Sequence, residues 1–223
     1  MRTFRTLTVF TVLLFCTTAP SAAAEFSTGV ELGHDLGLGG ALNLEAIDFA
    51  QGLPFSLRMS LGYWRLDPGD ALAARHAFIN DNENGTPQST GRNVAWRMDL
   101  LRELNWGPLA GSRAFVGPRY ASFKGTFDFV GGNEKFDVTS SHWGWGAGLE
   151  RRWAMGPRWG FSMGGGADYY LASAISGHDT SYSPDGENVE PRDGYDYDAA
   201  DEAVNQPKLE WRLSLGFDLR LGG

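Results

Sequence analysis

The segment Lys208–Leu221, KLEWRLSLGFDLRL, alternates in chemical character for fourteen residues. Leu209, Trp211, Leu213, Leu215, Phe217, Leu219 and Leu221 occupy one phase. Lys208, Glu210, Arg212, Ser214, Gly216, Asp218 and Arg220 occupy the other. Successive side chains of a strand point to opposite faces, so the pattern specifies a β-strand with two unlike sides. At about 3.3 Å per residue it reaches roughly 46 Å, far beyond the five or six residues of an ordinary globular strand.

Seven further segments read as strands. They lie near Phe26–His34, Leu38–Ile47, Phe55–Leu66, Asn93–Leu104, Arg113–Phe129, Phe136–Trp153 and Trp159–Ile175. Most alternate cleanly: Leu57, Met59, Leu61 and Tyr63 oppose Arg58, Ser60 and Gly62, and Trp143, Trp145, Ala147 and Leu149 oppose His142, Gly144, Gly146, Gly148 and Glu150. The segment Arg113–Phe129 is irregular. Ala114, Val116, Pro118 and Tyr120 oppose Arg119, but Phe123, Phe127 and Phe129 run in the other phase. A bulge, or a hairpin projecting beyond the main sheet, accounts for such a change. Short connections follow the second, fourth and sixth segments, near residues 52, 108 and 156. Two of the other connections are long and polar, Asp67–Arg92 and Ser176–Pro207. Thirty glycines and an aromatic content of 13% suit such an all-β chain with many turns.

Alternation alone does not say which face is wet. The interior of an eight-stranded barrel is just wide enough for side chains to fill. The apolar phase carries Trp96, Trp143, Trp145, Trp153, Trp159 and Trp211, too much bulk for that space. The polar phase carries glycine, serine, alanine and scattered charges. The expected arrangement is therefore inside-out, with an apolar belt toward lipid and a polar lumen. Trp106, Trp153 and Trp159 flank the short turns, and Tyr63, Tyr169 and Phe217 lie elsewhere on the apolar phase, as interfacial girdles require. Arg102 and Arg151, in the apolar phase near the short turns, are placed to reach headgroups.

The first residues read as an export signal over 1–24. Arg2 and Arg5 precede the apolar run Leu7–Cys16, and Ala22 and Ala24 precede a cut before Glu25. Residues 25–223 are then the barrel domain. Loss of the signal removes Cys16, the only cysteine, and takes the formal charge from −8 to −10. No disulfide or thiol chemistry is then available, and an acidic exported chain is not expected to bind nucleic acid. No later apolar run is long enough for a membrane helix, so membrane insertion requires a closed barrel.

With these features, GWGAGLERRW and LEWRLSLGFDLRL resemble the small eight-stranded outer-membrane barrels of the OmpA, OmpX and opacity-type porin-like superfamily. The resemblance covers nearly all of residues 25–223 and implies an antiparallel up-and-down transmembrane barrel in the bacterial outer membrane. It also implies contact with outer-membrane lipids and lipopolysaccharide, and with the barrel-assembly machinery. Members commonly end in an aromatic residue, where this chain has Leu221-Gly222-Gly223.

The polar phase predicts a lumen of paired charges: Glu31, Glu45, Arg58, Arg97, Asp99, Arg119, Glu150, Arg152, Asp168, Glu210, Arg212 and Asp218. Unpaired buried charges are too costly to retain. In DVTSSHW, Ser140 shares a face with His142 whereas Ser141 does not, and Asp137 is near. That pairing is the element a lipid-modifying hydrolase or acyltransferase would use. His34, His76 and His178 read as loop residues. The segment 176–207 concentrates Asp179, Asp185, Glu187, Glu190, Asp193, Asp196, Asp198, Asp201 and Glu202 against Arg192, and reads as a solvated mobile loop. Its carboxylates suit divalent cations, and Tyr182, Tyr195 and Tyr197 suit extracellular protein contact. NDNENG, Asn80–Gly85, lacks the closing glutamate of an EF-hand. No catalytic, cofactor or metal residue is assigned. The expected role is structural or surface-interacting, through adhesion or envelope integrity. A narrow channel, a lipid-modifying enzyme and a soluble periplasmic lipocalin-like carrier are the alternatives.

Overall fold

A computed structural model describes residues 25–35, 37–49 and 53–221. The expected export signal lies outside them, as do Gly222 and Gly223. The elements are β1 (Glu25–His34), β2 (Leu38–Ile47), β3 (Ser56–Leu66), α1 (Ala71–Phe78), β4 (Thr86–Leu104), β5 (Ser112–Val130), β6 (Glu134–Ala154), β7 (Trp159–Tyr170), β8 (Ile175–Gly177), β9 (Thr180–Tyr182), α2 (Tyr197–Ala203) and β10 (Leu209–Leu221). Strands β1 to β7 and β10 pair antiparallel around a closed ring. Closure leaves no open edge along the barrel, so every ladder hydrogen bond there is made within the wall.

The ring is turned inside-out relative to a globular core. Leu32, Leu42, Leu61, Trp145, Trp211 and Leu213 stand exposed on its outer surface, with Trp211 71% and Leu213 70% accessible. Arg58, Arg97, Asp99, Arg119, Asp168 and Arg212 are buried inside. Outer aromatics form two bands. Toward the long loops, Trp96, Tyr120 and Trp143 touch, the Trp143 ring centroid lying 6.4 Å from that of Trp96 and 5.1 Å from that of Tyr120. Toward the short turns, Trp153, Phe161 and Phe217 form a second row at 5.7 and 5.3 Å. Trp143 and Trp153 bracket about ten residues of β6, which at the usual strand rise and tilt gives roughly 25 Å of height. That matches the apolar band of a bilayer.

Strands β4, β5 and β6 continue well past the long-loop band as a three-stranded wall. The registers of β4 with β5 and of β5 with β6 keep one offset to their far ends, Thr86↔Val130 and Phe129↔Glu134. The apparent phase change in β5 is thus a projecting hairpin, with no bulge. Phe123, Phe127 and Phe129 share the inward phase with Arg119. Beyond the barrel mouth that side faces a lobe instead of the lumen, so it turns apolar.

The lobe corrects three expectations. The segment read as a strand to Ile175 stops at Tyr170, and Ile175–Gly177 is a separate strand on the upper part of β6. The connection after β3 contains α1. The acidic segment 176–207 is ordered as β8, β9 and α2 instead of forming a solvated loop. The cause is a common apolar core of Phe78, Phe123, Phe127, Phe129, Phe136, Val138, Ile175 and Tyr182 with alanines from both helices. Alanine faces let the helices pack closely. Asp196 and Asp201 of that segment, together with Asp70, serve the structure, and most of the segment's other acids stay exposed. Asp70 and Asp196 cap the two helices, each accepting an N–H at 2.9 Å, and Asp201 accepts from Gln206 at 2.6 Å and pairs with Lys208 at 2.8 Å. Tyr182 Oη donates to Ala77 O at 2.7 Å and accepts from Arg192 N–H at 3.1 Å.

Arg75 pins α1 to the wall. It is fully buried, lies 4.1 Å from the Phe129 ring centroid, and donates to Glu134 at 2.5 Å and to Asn84 O at 2.8 Å. A hydrogen bond from Asn80 at 2.7 Å, with the Arg75 guanidinium beside it, holds the Glu134 carboxyl below its usual range.

Phe127→Ala removes a ring from the centre of the lobe and should cost about 3–5 kcal/mol of lobe stability. Limited proteolysis should then cut within 178–195, while heat-modifiable migration of the barrel is unchanged. Because the Glu134 pKa is depressed on folding, its contribution is present above the ordinary carboxylate pKa and is lost as pH falls through the depressed value. Lobe protection should fall with acid, and Glu134→Gln should show weakened protection at neutral pH with a flatter pH profile. Identical profiles for both proteins would sink this assignment.

Candidate functional site in the lumen and beneath the lobe

The lumen holds a connected series of charges from Glu45 to Arg212, with a separate cluster of Arg97, Glu31 and Asp35 beside it. At the short-turn end Arg113 donates to Glu45 at 2.5 Å and also pairs with Glu150. Glu150 accepts from Arg58 at 2.6 Å, and Arg58 lies 3.6 Å from Asp99. Asp99 lies 2.7 Å from Arg119, which donates through Nε to Asp168 at 2.8 Å. Arg212 stands 3.8 Å from Asp168. Arg97 crosses to Glu31 at 3.3 Å and Asp35 at 3.9 Å. Arg152 and Asp218 pair separately near the short-turn rim. Glu210, also expected in the lumen, turns its Oε1 to the Lys208 N–H at 3.2 Å, near the mouth.

Bulky side chains complete the filling. Phe115 lies between two guanidiniums, 4.7 Å from that of Arg212 and 5.8 Å from that of Arg58. Trp64 is fully buried among Ala41 and Ala95, 5.9 Å from Arg97. The six apolar-phase tryptophans stay outside as expected, whereas Trp64, in the polar phase of β3, fits inside because Gly39 and Gly62 leave room beneath the indole. A Cβ at Gly146 would likewise collide with Asp168 and with Arg119 Nη2 at 2.6 Å. Of the GWGAG glycines, Gly146 therefore provides volume for the Arg119–Asp168 pair and Gly148 for the Phe115 ring. Between Ser27, Asn43, Ser162 and Asp218 a cavity of about 20 Å³ remains, enough for about one water. A vestibule of about 430 Å³ opens at the short-turn end and stops at Arg113 and Ser56. Such a lumen is a plug. It has the opposite polarity to the apolar interior that a soluble carrier barrel would need.

Ser140 and His142 do meet. His142 Nε2 is 2.8 Å from Ser140 Oγ, and Nδ1 is 2.9 Å from Leu171 O. A carbonyl only accepts, so Nδ1 carries the proton and Nε2 accepts from the serine hydroxyl. That is the tautomer of a general base. The surroundings do not suit turnover. Ser140 and His142 are 5% and 1% exposed, beneath the lobe, and Ser140 pairs in register with Phe123 and Ile175. Asp137 points to the outer side, where it accepts from Lys124 at 2.5 Å and Thr126 at 2.6 Å. The pair works as a strut from β6 to the segment after β7. Among the described residues no group of three or more His, Asp or Glu is arranged to hold a metal. His34 pairs in register with Leu213 on the wall, His76 lies on α1, and His178 is exposed beside Asp179.

The lumen contains two charges absent from the expected set, Asp35 and Arg113. Arg113 has the parity of Arg119 and Asp35 that of Glu31, so strict counting along each strand would have included both.

Arg119 is fully buried, so Arg119→Met should destabilise the barrel by about 3–5 kcal/mol by stranding Asp99 and Asp168. The triple variant Arg119→Met, Asp99→Asn, Asp168→Asn should recover part of that loss. Urea titration of heat-modifiable migration measures both. A single variant as stable as the parent would show that the network does not hold the wall together.

No family model and no curated protein matches the sequence. Among solved structures, the chain is similar to a major outer membrane protein from Thermus thermophilus, with 24% identity, a TM-score of 0.71, and coverage of 89% of this chain and 100% of that one. It also aligns with Acinetobacter baumannii CarO2 at 14% identity and TM-score 0.40, covering 89% and 99% of the two chains. Neisserial surface protein A aligns at 11% and 0.36, covering 89% and 96%. The first of these shares the fold. With that fold carrying an apolar wall outside and charges packed within, this chain is a small eight-stranded antiparallel β-barrel built as membrane-spanning barrels are.

Proposed function

We propose that the protein is a closed membrane anchor that presents an ordered acidic lobe outside the cell for surface contact, in adhesion or in holding the envelope together. The observation that carries this reading is the lobe's own apolar core, standing on the projecting wall above the outer aromatic band. A loop serving only as a connection needs no core. Short periplasmic turns and long extracellular connections, the usual asymmetry of such barrels, support an outward-facing lobe. Asp179, Asp185, Glu187 and Asp193 lie on its exposed surface, which suits a partner with basic or hydrogen-bonding side chains. The plugged lumen argues against a porin-like pore, and the buried Ser140–His142 pair argues against lipid hydrolysis.

Residues 25–223 contain no cysteine, so single-cysteine variants report topology directly. Asp185→Cys should react with a membrane-impermeant maleimide on intact cells, and Met155→Cys should react only after lysis. Planar-bilayer recordings of the purified barrel should show no single-channel steps. Charge reversal at Asp185, Glu187 and Asp193 should reduce attachment of intact cells to protein-coated surfaces several-fold at unchanged barrel abundance. Unaltered attachment and envelope permeability in that variant would count against the lobe as the working surface, and labelling of the Met155→Cys variant on intact cells would reverse the orientation.

A further inference from the structure

One groove lies on the outer wall, away from both lumen and lobe. It runs from Leu38 of β2 across β1, β10, β7 and β6 to Ser112 of β5, has a volume of about 740 Å³, and is flanked by Leu32, Leu213, Met163 and Leu149. Its floor is backbone, because Gly165 stands in the outward phase of β7 between Leu213 of β10 and Leu149 of β6. Nothing in the wall requires a glycine there. A Cβ would meet only Leu213 Cδ2 at 3.2 Å and Arg212 O at 3.4 Å, and the leucine end can move. Gly146 and Gly166 differ, since a Cβ on either would strike its neighbours. Gly165 therefore leaves an opening on the lipid side that the fold itself does not demand.

A cation stands at the foot of this opening. Arg151 lines the groove, in the lipid-facing phase one outward position from Trp153, whose ring centroid lies 5.9 Å from its guanidinium. Neighbouring carboxylates are directed elsewhere, Glu150 to Arg113 and Asp218 to Arg152, so among the described residues none pairs with Arg151. A guanidinium at the aromatic band of a membrane wall seeks an anionic headgroup, and a planar fork suits phosphate.

We infer that this groove is a binding site for one anionic phospholipid of the periplasmic leaflet. Its phosphate sits on Arg151, and an acyl chain lies over Gly165 between Leu213 and Leu149. The occupant is a phospholipid and not a second barrel, because a symmetric contact across this face would bring two unpaired arginines into the same apolar surface. The opposite wall carries a comparable cation, Arg102, 5.4 Å from the Phe55 ring centroid, but no matching opening, because on β3 the outward series Leu57, Met59, Leu61 and Tyr63 is bulky throughout.

Native mass spectrometry of the barrel, reconstituted from vesicles of phosphatidylethanolamine with phosphatidylglycerol, tests this. One phosphatidylglycerol should remain bound under conditions that strip the remaining lipid. Arg151→Gln keeps the groove's floor and should weaken retention roughly fivefold, the effect of one surface cation on an anionic lipid. Gly165→Leu fills the floor and should abolish retention with Arg151 in place. Met59→Trp on the far wall should retain the lipid as the parent does. Heat-modifiable migration checks that each variant is folded, and Arg151→Gln decides the case if Gly165→Leu does not insert. The inference is overturned if phosphatidylglycerol is not retained, if phosphatidylethanolamine is retained equally, or if Arg151→Gln binds as the parent does. A dimer lost on Gly165→Leu would assign the groove to a second copy instead.

Discussion

Buried charge governs this molecule. A barrel of eight strands whose outer face must satisfy lipid has only its interior in which to place polar side chains, and that interior is narrow. Any carboxylate there needs a guanidinium within reach, and each guanidinium needs several acceptors. The solution is a connected series from Glu45 through Arg113, Glu150, Arg58, Asp99 and Arg119 to Asp168. These residues come from β2, β5, β6, β3, β4 and β7, so the series ties strands that are distant in the chain. Arginine serves better than lysine here because its planar fork bonds two carboxylates at once and stacks on Phe115 and Trp64. The inward glycines Gly146 and Gly148 of β6 follow from the same demand for volume.

A sealed lumen has a functional consequence. With the lumen filled by paired charges and bulky side chains, the broad surfaces the molecule presents are its apolar wall and its lobe. The lobe is built from the same strands as the wall. Where β5 and β6 leave the barrel mouth, their inward phase no longer faces charges, and phenylalanines take over as the anchor for α1, β8, β9 and α2. Arg75 and Glu134 add an oriented ion pair at the edge of that core. The lobe is thus rigidly continuous with the membrane wall, which suits a surface that must hold its shape.

The Ser140–His142 pair shows how local chemistry and context part company. Spacing of two on a strand guarantees a shared face, and the hydrogen bond forms with the tautomer a general base requires. Yet the face they share is the one the lobe covers. Proximity of a base and a hydroxyl is necessary for nucleophilic catalysis, and access for a substrate is a separate requirement that this site does not meet.

Strand identity, the inside-out sense of the wall and most of the lumenal charges were legible in the sequence, because a period of two assigns every side chain to one of two faces. The membership of the aromatic bands was not, and Phe217 falls in the short-turn row with Trp153 and Phe161. The seat of Trp64 inside the lumen was not legible, since the space above Gly39 and Gly62 depends on how neighbouring strands register. The acidic segment 176–207 was misread for a related reason. Its composition describes its outer surface, whereas its order comes from Ile175, Tyr182, Ala200 and Ala203 meeting phenylalanines of β5 and β6 that are distant in the chain. Alternation by itself determined the wall, because lipid and lumen act on each residue locally. Only the tertiary structure decided that charges distant in sequence would close the lumen and that an acidic connection would fold over it, because both depend on long-range pairing that no local pattern encodes.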